Sequence, residues 1–119
     1  MIYQSSRNPR CRASATEAVL RGLAPDGGLY VPDSRDFPGF DWKALMGLDF
    51  CAMGERILGA LLPDFEDMPG LVRAAYAGKF THPEVTPTVP VGDRFVLELF
   101  HGPTSAFKDV ALSMLPRLM

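Results

Sequence analysis

Two stretches of the chain carry apolar residues at helical spacing, and short runs elsewhere carry them at strand spacing. From Phe50, the positions Met53, Ile57, Leu58 and Leu61 share one face of a helix. Asp49 stands where an N-cap belongs and Pro63 follows, which predicts a helix over about 50–62. A further helix is predicted over 68–77, opened by Asp67 and Pro69, with Leu71, Val72, Ala75 and Tyr76 inward and Gly78 as its stop. Ser14-Ala15-Thr16-Glu17 spells a capping box ahead of a short helix to about Arg21, closed by Gly22. Asp41 to Leu45 makes one or two turns. These stripes read as core. Ile2-Tyr3-Gln4 and Leu29-Tyr30-Val31 read as short strands, the second closed by Pro32. In Arg94 to Phe100, the residues Phe95, Leu97 and Leu99 alternate with Arg94, Val96, Glu98 and Phe100, which predicts a buried strand. Pro83, Pro87 and Pro90 mark residues 81–91 as an extended connector, and the domain boundary is placed there, giving units 1–82 and 83–119.

Composition narrows the class. The 119 residues allow one ordinary domain, and 47% of them are hydrophobic, enough to form a core. The net charge of −2 gives no basic footprint for nucleic acid. No apolar run approaches a bilayer span, and Met1-Ile2-Tyr3 passes at once into polar residues, unlike a secretory signal. Cys11 and Cys51 read as free thiols of a reducing cytosol rather than a disulfide framework. With His82 and His101 they form no metal-ligand spacing, so no metal is expected. The sequence finishes on the apolar stretch Val110 to Met119 without a polar tail, which predicts that it belongs to a longer protein.

The chemistry concentrates near the carboxyl end. Gly102-Pro103 ends the predicted strand, and Thr104 or Ser105 is placed to cap the helix that follows. Lys108 then falls on the first helical turn at the carboxyl end of a strand, where open α/β sheets place ligand crevices. A primary amine attacks a carbonyl only when unprotonated, and both burial and the positive end of a helix dipole disfavour the ammonium. A lysine so placed suits a Schiff base with a carbonyl cofactor such as pyridoxal phosphate. Position alone favours the plainer reading, one of the surface lysines that most helices carry.

The surrounding residues decide between these readings. The run His101-Gly102-Pro103-Thr104-Ser105-Ala106-Phe107-Lys108-Asp109 closely resembles the cofactor-lysine motif of threonine synthase. The resemblance continues upstream in Tyr3-Gln4-Ser5-Ser6-Arg7, in Glu17-Ala18-Val19-Leu20-Arg21-Gly22-Leu23-Ala24 and in Pro25-Asp26-Gly27-Gly28-Leu29-Tyr30-Val31-Pro32. Separated blocks in the family's order are far more specific than a lysine motif alone.

The resemblance implies an α/β protein, α+β over these residues: a small, mostly helical amino-terminal domain with a short β element, then the first strand-loop-helix of a fold type II cofactor domain. It implies pyridoxal phosphate as cofactor, O-phospho-L-homoserine as substrate, L-threonine and phosphate as products, and a cytoplasmic location. Lys108 is the expected Schiff-base and proton-transfer residue. Thr104 and Ser105 are candidate cofactor contacts. Phe107 is a further candidate contact, although core packing beneath the loop is the safer expectation for it. His101 is expected to make a local hydrogen bond, and Asp109 to favour the helix dipole. Asp26-Gly27-Gly28 reads as a tight turn, because it lacks the spacing and the following helix of a phosphate-cradling loop.

By the same resemblance, the family's phosphate-binding glycine loop lies downstream of the lysine and outside these residues. The 119 residues alone are therefore expected to be inactive, to hold no cofactor, and to self-associate through an apolar C-terminal helix. Asp109-Val110-Ala111 departs from the Arg-Gly that follows the lysine in one subgroup and suits the longer microbial-type enzymes. A related phospho-lyase or ammonia-lyase on the same fold, and a stand-alone non-catalytic interaction module, are the competing readings.

Overall fold

The structure, a computed structural model, describes residues 1–119. The first strand, β1 (Tyr3–Ser5), lies at the centre of a three-stranded antiparallel sheet. β2 (Arg12–Ala13) flanks it on one side and β3 (Tyr30–Pro32) on the other. Tyr3 pairs with Ala13 and with Pro32. α1 (Ala15–Arg21) follows β2 directly. Its capping box is complete: Glu17 N–H donates to Ser14 Oγ at 3.2 Å, and Ser14 N–H donates to Glu17 Oε2 at 3.0 Å. The Asp-Gly-Gly segment is the tight turn expected, with Asp26 Oδ1 accepting from Ser5 Oγ at 2.7 Å and from Gly28 N–H at 2.9 Å.

The helical part follows the sequence pattern closely. α2 (Trp42–Leu45) is capped by Asp41, α3 (Phe50–Leu61) by Asp49, and α4 (Met68–Tyr76) by Asp67. Met68, Val72, Ala75 and Tyr76 of α4 form the centre of the core. Leu71, expected with them, packs at its margin. No residue of α3 is fully buried; Phe50 and Leu58 pack against the core from one side, and the Phe50 ring meets Tyr76 edge-on at 5.1 Å. Two links tie the amino-terminal part, the sheet and α1, to α3 and the loop that follows it. Tyr3 Oη donates to the Leu61 carbonyl at 2.7 Å, and Thr16 N–H donates to Asp64 Oδ2 at 3.0 Å.

Residues 81–91 hold more than a connector. Thr88–Val91 forms β4, which pairs antiparallel with β5 (Arg94–Leu97) from Thr88↔Leu97 to Val91↔Arg94. Gly92 takes φ +63° at the first of the two turn positions, as a tight hairpin requires. The buried strand expected over 94–100 is corrected in both length and burial. β5 stops at Leu97 and all four of its residues are exposed, with Phe95 at 78%. Alternation reports that one face is apolar, not that something within reach covers it.

The last element, α5 (Asp109–Leu118), returns to the core. Met114 is 4% exposed within the α4 cluster, and Val110 and Leu118 pack beside it. Tyr76 Oη donates to the Val110 carbonyl at 3.0 Å. Both sheets are antiparallel, so helices and strands mix as α+β over these residues.

Candidate functional site

The segment between β5 and α5 is held at its entry by a histidine. Glu98 and His101 are mostly shielded, and His101 Nε2 lies 2.6 Å from Glu98 Oε2. His101 Nδ1 lies 3.2 Å from Thr81 Oγ1, and Thr81 N–H donates to the His101 carbonyl at 2.9 Å. The His82 ring sits 5.1 Å from that of His101. The local hydrogen bond expected of His101 is thus present, and it fastens the loop to the segment that leaves α4.

At the exit the arrangement differs from the sequence expectation. Thr104 and Ser105 do not cap the helix; α5 begins at Asp109, and Lys108 occupies the cap position itself, with φ −69° and no side-chain cap bond. Thr104, five positions before the helix start, instead donates to the first residue of α5. Its N–H donates to Asp109 Oδ2 at 2.8 Å and its hydroxyl to Asp109 Oδ1 at 2.6 Å. Residues 104–108 therefore fold as turns rather than as a helical first turn, and Ser105 takes φ +58°. Those hydrogen bonds, the Thr104 hydroxyl's foremost, hold the Asp109 carboxyl below the usual aspartate range.

The four candidate residues share one open loop. Thr104, Ser105, Phe107 and Lys108 are all exposed. Phe107, expected as core, is corrected: it is 67% exposed, because α5 turns Val110 and Met114 inward and leaves position 107 facing out. Lys108 enters no ion pair. Cys11 and Cys51 are free, and burial pushes the Cys51 thiol up. No group of three or more His, Cys, Asp or Glu side chains is placed to hold a metal ion. Asp109 is where reading the sequence fell short. Its neighbour-in-space Thr104 lies five positions back, and only the Gly102-Pro103 turn between strand and helix hints that the chain doubles back there.

Fold and loop together define a class: a mixed helix-and-strand unit that displays a lysine, on a loop that also exposes Thr104 and Ser105, at the amino end of a helix seated on its core. Comparison with known proteins makes the class specific. A family model described as "Threonine synthase N terminus" matches residues 2–76. The threonine synthase of Schizosaccharomyces pombe is 39% identical over 122 residues, covering 98% of this chain and 24% of that protein. Human "Threonine synthase-like 1" is 36% identical over 112 residues, covering 87% of this chain and 15% of that protein. Among solved structures, the pyridoxal-phosphate-bound threonine synthase of Brucella melitensis superimposes with a TM-score of 0.87 at 38% identity, over 100% of this chain and 26% of that one. The Escherichia coli threonine synthase gives 0.84 at 30% identity, over 99% and 27%. The chain belongs to the threonine synthase N-terminal family. It spans between 15% and 27% of the length of these relatives.

Proposed function

We propose that this chain is the amino-terminal region of a threonine synthase, in which Lys108 carries pyridoxal phosphate for the conversion of O-phospho-L-homoserine and water to L-threonine and phosphate. On this reading residues 1–82 are the amino-terminal domain, and residues 83–119 are the linker and the start of the cofactor domain. One observation carries it: Lys108 is exposed and unpaired on a loop fastened at both ends, in a chain that aligns over its whole length with a pyridoxal-phosphate-bound threonine synthase.

The donor set fits the carbonyl end of that cofactor. A free primary amine suits an aldehyde, and the exposed Ser105 hydroxyl offers a polar contact on the same loop, whereas the Thr104 hydroxyl is committed to Asp109. Once bound, the cofactor supplies an electron sink for charge developed at the substrate carbons. The chain's own contribution is the amine. Lys108 Nζ would hold the cofactor and, when free, would take and return protons at the reacting carbons. Exposed Phe107 offers an apolar ring beside the same opening. The reading places the enzyme in the cytoplasm; no helix of the structure is long and apolar enough to cross a membrane.

The test uses the full-length protein. Lys108→Ala and Lys108→Arg should each lower threonine formation by about 10³-fold or more while circular dichroism stays unchanged, because one amine performs both anchorage and proton transfer. Arginine keeps the charge and loses the nucleophile. Near-normal turnover in Lys108→Arg would make the lysine a surface charge. Turnover of phosphohomoserine to another product would favour a related lyase, and no turnover by the wild type a non-catalytic module.

A further inference from the structure

Asp109 is 4% exposed, yet it enters no ion pair. A buried carboxylate without a cation is costly unless hydrogen bonds replace its water. Here one residue supplies both bonds: Thr104 donates its N–H to Oδ2 at 2.8 Å and its hydroxyl to Oδ1 at 2.6 Å. The start of α5 adds the favourable end of the helix dipole. Gly102 lies so close to the same carboxylate that a side chain there has no room. Ser105, between these contacts, keeps φ +58°, a conformation that a non-glycine residue holds only where its surroundings enforce it. Residues 104–109 are thus closed into a ring. Its last member is pinned inward, and the member before it, Lys108, is exposed.

We propose that Asp109 is a positioning residue for Lys108: locked onto Thr104, its carboxylate fixes the backbone from which the lysine amine meets a carbonyl cofactor. The proposal rests on the reading of Lys108 given above. It extends that reading by assigning the lock to the buried carboxylate next to the lysine.

The experiment compares wild type, Asp109→Asn, Thr104→Val and Thr104→Ser in the full-length protein. Pyridoxal phosphate is titrated, reduced onto the protein with borohydride, and quantified on the Lys108 peptide by mass spectrometry. Asp109→Asn keeps the shape and removes the charge; Thr104→Val removes only the hydroxyl bond. Each should raise the concentration for half-capture about tenfold, the scale of one hydrogen bond to a charged group. Thr104→Ser, which keeps the hydroxyl, should stay near wild type. A second readout is independent of the cofactor. The Thr104 amide proton resonance should follow the Asp109 titration, with a midpoint below the usual aspartate range in wild type and higher in Thr104→Val. Half-capture in Asp109→Asn and Thr104→Val equal to wild type overturns the lock and leaves the reading of Lys108 intact. Failure of the wild type itself to capture the cofactor on Lys108 removes both. Should Asp109→Asn fail to fold, the Thr104→Val and Thr104→Ser pair decides alone.

Discussion

At the scale of single residues, the largest shift of a carboxyl belongs to Asp33, outside the lysine loop. Asp33, 5% exposed just past β3, accepts from Arg35 Nε at 3.0 Å and Arg35 Nη2 at 2.6 Å, with Arg12 Nη2 at 3.6 Å. The Arg35 side chain, then its backbone N–H, holds the Asp33 carboxyl down to about 2. A carboxyl with a depressed folded value stabilises the fold above its unfolded value and loses that contribution as pH falls through the folded one. Wild type should therefore exceed Asp33→Asn in thermal stability by a constant margin near neutrality. The margin should shrink as pH drops from about 4, the ordinary aspartate value, towards 2. A margin independent of pH over that window, measured by melting curves, would refute the ion-pair account. The residue scale is also where the sequence was most and least informative. Lys108 stood out through the nine consecutive residues around it, which resemble a family motif. The Thr104–Asp109 pairing did not, because it depends on a left-handed Ser105 that no apolar pattern announces.

At the scale of elements, helices were legible because cap, period and stop are all local in sequence. α1 is the clearest case, with both reciprocal bonds of its capping box formed and Gly22 receiving the chain at its end. Ser14→Ala removes the acceptor for Glu17 N–H and should cost about 1 kcal/mol of stability, read as a lower midpoint in urea unfolding with an unchanged slope. A midpoint equal to wild type would show that Asp64, which caps Thr16 N–H from outside the helix, suffices alone. Strands were legible only in part. β2 has two residues, too short for any period, and exists because β1 is there to pair with it. β4 was obscured by its proline, although the Gly92-Asp93 pair between Val91 and Arg94 is turn chemistry of the kind that closes a hairpin.

At the scale of the whole molecule, the core is thin: 16 of 119 residues are buried, so much apolar surface remains outside. Phe95, Leu97, Phe107, Leu112 and Leu115 are exposed on the hairpin, the lysine loop and α5. Exposed apolar residues on this scale favour association. The 119-residue chain alone should run by light scattering at a mass above that of one copy. Phe95→Asp with Leu112→Asp should return it towards a monomer with its helices intact. A monomeric wild type would show that this surface is tolerated bare. The hairpin carries a directional consequence as well. Glu98 N–H donates to the Pro87 carbonyl at 2.9 Å, so the bonded pairs are 87/98, 89/96 and 91/94. Pro90 falls between them, on the outer rim of β4, where its ring offers no donor. Phe95 and Leu97 turn their amides to the rim of β5, which has no such block. Sheet growth from this hairpin is therefore one-way: an incoming strand finds a template beside β5 and a stop beside β4.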